Sequence, residues 1–366
     1  MIEAILALSL VAQDATLEEE YVLPAEVCRG FWLLPVSLQP GPSGEERVLW
    51  FLHDTGASNT YLDPDSIERV SGQVLAEGTT ARITDASSGP LSINEMPTEV
   101  RELDHLSISL GRPIDGLMSV YALQDFLLIL DYPAEEMRLR QGSLPRPDGE
   151  IVFSTRGPDR RPWLRVDLAG RTRPLLIDSG AGSLTIAVNN IDRFDLLDEP
   201  QVLASSTRIN RIEQRRLARL NGEADIAGLR VQYPVMEEVP QSELLGGELL
   251  KHFVITLDQP NRRVQMVPAT QSPVPAEDHF EIGAGLRPTL EGFEVLAVYP
   301  DTPASAGGLQ AGDVITHFDG VRVAERGCGP RTAQGPLQVS VVRGGEPITL
   351  ALEMVPVLDY PGASDG

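Results

Sequence analysis

The chain is 366 residues long, 42% hydrophobic and 23% charged, which describes a soluble globular protein of two or three domains. A formal net charge of -23 argues against a nucleic-acid backbone or an anionic membrane surface as partner, since both call for a basic footprint. No run is long and apolar enough to span a bilayer, and five scattered histidines (His53, His105, His252, His279, His317) show no HExxH or His-x-His spacing, so neither a metal nor another cofactor is expected.

The N-terminal segment, 1–25, carries a short apolar run from Ala4 to Ala12. Glu3 stands where a signal peptide would want a basic residue, so the run reads either as a signal remnant or as a frayed strand or helix. Next comes "FLHDTGASNTYLD", residues 51 to 63, an apolar run that ends in a turn of small and hydroxyl residues and reads as a strand closing on Asp54. Alone, an Asp-Thr-Gly is as ordinary as any turn. A strand-turn-strand follows at 79–93, with its tip at Asp85 to Pro90.

A second apolar run then ends in an acidic turn, "RPLLIDSGAGSLTI", residues 173 to 186. Asp178-Ser179-Gly180-Ala181 mirrors Asp54-Thr55-Gly56-Ala57 at an offset of 178 − 54 = 124. Downstream, 115–139 aligns without a gap on 242–266 at an offset of 127, matching Leu130, Asp131 and Pro133 to Leu257, Asp258 and Pro260. The chain therefore contains a repeat: lobe one over 26–145 and lobe two over 146–268, each with one acidic turn. Brought face to face across a pseudo-twofold axis, two carboxyls cannot both ionise easily and share a proton. Such a pair can activate water and polarise a peptide carbonyl. The hydroxyls of Thr55 and Ser179 are suited to brace each loop against the other lobe, and Gly56 and Gly180 allow close backbone approach.

These residues resemble the retropepsin-like (clan AA) aspartic proteases of bacteria, in the form that fuses two lobes in one chain. The family pattern is two apolar residues, Asp-Thr/Ser-Gly-Ala, and later an apolar-apolar-Gly stretch behind the Asp loop. Lobe two has both parts, ending in Leu244-Leu245-Gly246. Lobe one has Leu117-Met118-Ser119, with Ser119 where the family has Gly and His53 where an apolar residue is usual. The resemblance covers about residues 30 to 268 and implies a mainly β fold of two pseudo-symmetric barrel lobes. It also implies catalytic Asp54 and Asp178, and loop support from Thr55, Gly56, Ala57, Ser179, Gly180 and Ala181. A monomer would suffice for activity, and protein or peptide substrates are expected. Strand alternation turns His53 away from Asp54 and makes it structural. Pepsin-type enzymes commonly carry a hydroxyl where Ala57 and Ala181 stand, so a dyad less acidic than pepsin's is expected, active toward mildly acidic or near-neutral pH. The 79–93 hairpin is the candidate substrate-covering flap. The arginine-rich stretch 207–226 reads as a helix or strands with a solvated face, Arg208, Arg211, Arg215, Arg216 and Arg219, that could favour acidic substrates.

After Met266 a Pro-rich linker, 269–280, leads to "GFEVLAVYPDTPASAGGLQAGDVITHFDGVRV", residues 292 to 323. This pattern resembles a bacterial-type PDZ domain, placed over 281–357 with a tail at 358–366, an α+β unit. The resemblance puts the peptide carboxylate-binding loop at Gly283, Ala284, Gly285 and Leu286, where a peptide C-terminus would add a strand to the sheet edge. Substrate positioning, or permanent packing on the lobes, is the alternative. Cys28 and Cys328, 300 positions apart, fit neither a disulfide framework nor a metal spacing and are read as free thiols, a long-range bridge being the alternative.

The expectation is thus an aspartic endopeptidase with a PDZ domain that recruits or positions protein substrates. The resemblance suggests the bacterial cell envelope or secretion, with the cytoplasm as alternative. The competing reading is an inactive protease-like body serving a PDZ scaffold, and Ser119 is the departure that favours it. No Gly-x-Ser-x-Gly elbow supports a serine protease.

Overall fold

A computed structural model describes residues 20–41, 43–208, 211–240, 242–328 and 334–362; the apolar run at Ala4 to Ala12 lies outside them. The protein is mainly β. Its base is a six-stranded sheet in the order Glu20–Val22, Glu136–Arg140, Leu127–Asp131, Phe253–Asp258, Arg263–Pro268, Val152–Ser154. The central pair are antiparallel equivalents from the two repeats, with Ile255 opposite Leu130 and Leu257 opposite Leu128. Both strands are buried over nearly their whole length, which is why their sequences are continuous apolar runs rather than alternating ones. Covered on both faces, this sheet merges the cores of the two lobes into one cluster.

Each lobe adds a sheet with the same five-strand kernel. In lobe one Phe31–Ser37 pairs antiparallel with Val48–Asp54, which runs parallel to Gly116–Ser119. Gly116–Ser119 is antiparallel to Tyr61–Leu62, which is in turn parallel to Leu91–Val100. Lobe two repeats these senses with Trp163–Leu168, Arg171–Ile177, Leu244–Leu245, Ile186–Val188 and Val235–Glu238. Lobe one alone inserts the helix Pro64–Ser71. Asp63 caps it by accepting from the Asp65 and Ser66 amides at 3.0 and 3.1 Å, and Gly72 ends it at a φ of 70°. Lobe two spends the same stretch on a long hairpin, Gln201–Arg208 with Arg211–Arg219, so the arginine-rich segment is strands, not a helix.

The C-terminal domain is a sheet in the order Ala284–Thr289, Gly292–Val298, Val314–Phe318, Gly335–Arg343, Glu346–Met354, with Val321–Arg322 paired to the third strand. A short helix, Pro303–Ala306, is capped by Thr302. In the same domain Asp313 is buried and paired to Arg343 at 2.7 Å. The preceding linker is not free: Val274 is buried and bridges to Val231, and Arg219 donates to the Glu277 carbonyl at 2.7 Å.

The reading of two free thiols is corrected. Cys28 and Cys328 form a disulfide. Separation along the chain carries no information once the C-terminal domain folds back on lobe one. There the Gly327 amide donates to Gly111 O at 2.9 Å, and Arg326 donates to Ser109 O at 3.1 Å.

Candidate active site at the junction of the two Asp turns

The two acidic turns meet. Strand register explains why each Asp emerges where it does. Leu117 and Met118 lie beside Leu52 and His53 in parallel pairing, and Leu244 and Leu245 lie likewise beside Leu176 and Ile177. These apolar pairs fix the last residues before each turn from behind. The turns then brace each other reciprocally. The Thr55 amide donates to Ser179 Oγ at 3.0 Å and the Ser179 amide to Thr55 Oγ1 at 2.9 Å. Thr55 Oγ1 donates to Ile177 O at 2.7 Å, and Ser179 Oγ to His53 O at 2.9 Å. Thr55 and Ser179 are fully buried, so four hydrogen bonds in a low-dielectric setting tie the lobes together at this point.

The glycines are demanded by the same closeness. A Cβ on Gly56 would lie 2.5 Å from the Asp178 carboxylate carbon, and one on Gly180 would lie 2.2 Å from that of Asp54. Asp54 Oδ1 accepts from the Gly56 and Ala57 amides at 2.7 and 3.0 Å, and its carboxyl is hydrogen-bonded with that of Asp178. Burial raises the Asp54 pKa above its ordinary value. The Gly56 amide, Asp178, the Ala57 amide and the charge of Arg161 pull the other way without cancelling the rise. Ala57 and Ala181 offer no hydroxyl to either carboxyl. Both aspartates keep some exposure and are open to water.

His53 points elsewhere. It lies opposite Trp32 in the adjoining strand, is fully buried, and neither ring nitrogen has a hydrogen-bond partner among the described residues. Burial alone lowers its pKa to about 4.

Ser119 fits where it stands. Its amide donates to Thr60 Oγ1 at 3.2 Å, and the Thr60 hydroxyl donates to Ser119 Oγ at 3.2 Å.

Sequence reasoning missed Arg161. It donates to the Gly56 carbonyl at 2.7 Å across the lobe boundary and is held by Asp159 at 2.6 Å. Trp163 Nε1 also donates to Asp159, at 2.8 Å. Burial opposes ionisation of Asp159, but the hydrogen bonds from Arg161 and Trp163 outweigh it and bring its pKa down to about 2. The available signal was the alternation Asp159-x-Arg161-x-Trp163, which leads into the strand Trp163–Leu168.

The 79–93 hairpin is present, Thr80–Ser88 with Leu91–Val100, but it does not cover this site. Ser87 pairs with Ser37, which lies opposite Val48, six residues before Asp54 in the same strand. At about 3.4 Å per residue that is roughly 20 Å away. The tip is held on the body by Ser88 Oγ donating to Pro35 O at 2.6 Å. The arginines of lobe two are likewise engaged. Arg215 pairs with Glu237 and with Glu281, and Arg216 with Glu238 and Asp192. Arg219 donates to three backbone carbonyls. The side chains of Arg208 and Arg211 lie outside the described residues. Among the described residues no His, Cys, Asp and Glu side chains gather to hold a metal ion.

Gly283, Ala284, Gly285 and Leu286 lie far along the chain from the Asp turns, at the start of the C-terminal domain's outer strand. Gly283 has a φ of 84°, and a Cβ there would lie 2.1 Å from that of Thr302. Its carbonyl accepts from the Tyr299 amide at 2.9 Å.

Residues 294–327 match the family model of the PDZ domain, and the C-terminal domain is a PDZ domain. Among solved structures, the HtrA3 PDZ domain bound to a phage-derived ligand (FGRWV) is 21% identical over 22% of this chain and 88% of its own, with a TM-score of 0.19. A retropepsin-like aspartic protease from Rickettsia conorii is 15% identical over 34% of this chain and 93% of its own, with a TM-score of 0.24. An aminopeptidase N family protein from Idiomarina loihiensis is 27% identical over 25% of this chain and 16% of its own, with a TM-score of 0.19. No curated protein sequence matches the chain.

Proposed function

We propose that the protein is an aspartic endopeptidase in which Asp54 and Asp178 share one proton. The ionised carboxyl takes a proton from a water held between them as that water attacks the peptide carbonyl carbon. The protonated carboxyl hydrogen-bonds to the carbonyl oxygen and gives it a proton as the tetrahedral intermediate forms. Proton transfer to the leaving nitrogen then breaks the C–N bond, with no covalent acyl-enzyme. One observation carries this reading: each turn's Gly faces the other turn's carboxylate while Thr55 and Ser179 exchange hydrogen bonds, an arrangement that forces two acids together at a solvent-reachable point. Both turns belong to one chain, so a monomer suffices. The PDZ domain would recruit or position protein substrates, and the Cys28–Cys328 bridge suits work in the cell envelope or outside the cell. The scaffold alternative rested on Ser119, whose hydroxyl has a partner in Thr60.

The test is cleavage of an unfolded protein and a diverse peptide mixture from about pH 3 to pH 8 by wild type, Asp54→Asn and Asp178→Asn. The expected outcome is cleavage by wild type and loss in both variants. Cleavage that survives either substitution, or none by wild type at any pH, rejects the dyad.

A further inference from the structure

Two sheets in this molecule end in outer strands that face each other. Gln201–Arg208 is the outer strand of the lobe-two sheet, and Ala284–Thr289 is the outer strand of the PDZ sheet. They do not join by a backbone ladder. One side chain links the two outer strands directly: Ser205 Oγ accepts from the Leu286 amide at 2.9 Å and donates to the Leu286 carbonyl at 3.2 Å. One hydroxyl thus satisfies both outward-facing groups of one residue, as the backbone of an added strand would. The next strand of the same hairpin supplies a further link. Arg215 there reaches Glu281 at 3.2 Å while also held by the fully buried Glu237. Glu281 lies two residues before Gly283.

Beside the seam lies a cavity of about 790 Å³, with Ile282, Ala284, Leu286, Phe318 and Leu337 among the residues of its PDZ wall and Ser205, Arg215, Arg219 and Tyr233 among those of its lobe-two wall. The apolar wall next to an edge strand suits one apolar side chain at the end of an extended peptide, with Arg215 on the facing side.

We propose that this seam is a composite peptide site in its self-occupied state. An extended peptide with an apolar C-terminal residue binds along Ala284–Thr289 only by displacing Ser205, and its arrival parts the lobe-two hairpin from the PDZ domain. The hairpin is therefore a built-in competitor of the PDZ ligand. This rests on the PDZ assignment and is independent of the Asp54/Asp178 chemistry.

The experiment uses the full chain and two readouts that involve no proteolysis. A fluorescent pool of randomised hexapeptides ending in Val or Leu is titrated onto wild type, Ser205→Ala and Glu281→Gln, and the Leu286 amide is followed by hydrogen exchange. Removing the hydroxyl deletes two hydrogen bonds from the closed seam, so Ser205→Ala should bind the pool roughly tenfold tighter and exchange its Leu286 amide faster. Glu281→Gln, which weakens the seam from the PDZ side, should move both readouts the same way. Equal affinity in all three proteins, no binding by any of them, or an unchanged Leu286 exchange rate in Ser205→Ala overturns the proposal.

Discussion

The two Asp turns share a backbone plan and differ in what stands behind it. At the offset of 124, His53 corresponds to Ile177 and Thr60 to Leu184; at 127, Ser119 corresponds to Gly246. In lobe two the support is apolar and backbone-tight. The Gly246 amide donates to Thr185 O at 2.8 Å, and a Cβ there would lie 2.2 Å from Leu184 O and 2.7 Å from Ala181 O. In lobe one the same place is polar, with Ser119 and Thr60 sharing hydrogen bonds and His53 buried behind the strand. Repetition conserved the strand pairings and the carboxylate geometry while allowing two different solutions for the packing layer. The lesson is that the constraint lies at the carboxyls, where the lobes meet, and relaxes one layer back.

The sharpest way to break the comparison is to fill the one place where the lobes are equivalent. Gly56→Ala and Gly180→Ala each push a methyl into the opposing carboxylate, at 2.5 and 2.2 Å. Both should lower kcat/KM on a cleavable peptide by roughly a hundredfold or more, since small displacements of reacting groups cost that much. Unequal losses would mean that the two carboxyls do not stand in mirrored positions.

Acid should separate the lobes next. His53 is neutral when folded, with its pKa lowered to about 4 against 6.5 unfolded, whereas Ile177 cannot titrate. Above pH 6.5 neither state binds the proton and nothing is lost; as pH falls toward 4 only the unfolded chain binds it, so stability falls. The loss should reach about 3 kcal/mol by pH 4 and vanish in His53→Leu. Urea unfolding at pH 7 and pH 4, with both proteins, measures it.

Exchanging the support residues should give opposite sizes of effect. Gly246→Ser places a side chain against two carbonyls and should cost about 2–3 kcal/mol in urea unfolding. Ser119→Gly removes one hydroxyl bridge and adds backbone freedom, and should cost about 1 kcal/mol. Equal costs would mean that lobe one's polar support is no looser than lobe two's apolar one.

What the sequence made legible follows the same division. The repeat was readable because a buried strand ending in Asp, Gly and a small residue leaves a pattern that survives divergence, and the PDZ pattern "TPASAGGLQAGDVI" fixes turns at defined offsets. What depends on docking was not. No residue near Cys28 or Cys328 announces that the C-terminal domain returns to lobe one. The 79–93 hairpin was legible as strand-turn-strand, but its direction is decided by the pairing of Ser37 with Ser87, a register that local sequence does not encode. Arg161 escaped because its partner, the Gly56 carbonyl, is a backbone atom of the other lobe.

The smallest expected effect concerns the charge state of the pair. Burial holds the Asp54 pKa above its ordinary value even though Oδ1 accepts two amides, and Ala57 gives the carboxyl no hydroxyl. In the proposed dyad, a raised pKa would let the shared proton survive to higher pH than on an ordinary aspartate, so the singly protonated pair would persist upward from the usual carboxylate range. Ala57→Ser supplies a hydroxyl beside the carboxyl. Each hydrogen bond to the ionised form favours proton loss, so both limbs of the pH–kcat/KM profile should move toward acid, by about one unit or less. Ala181→Ser makes the matching change in lobe two, where Ala181 is 9% exposed and has less room for the added oxygen. A wild-type profile that peaks only in strong acid would reject the argument for Ala57 and Ala181 together. A shift in Ala57→Ser alone would instead show that the pair, though mirrored in geometry, ionises through Asp54.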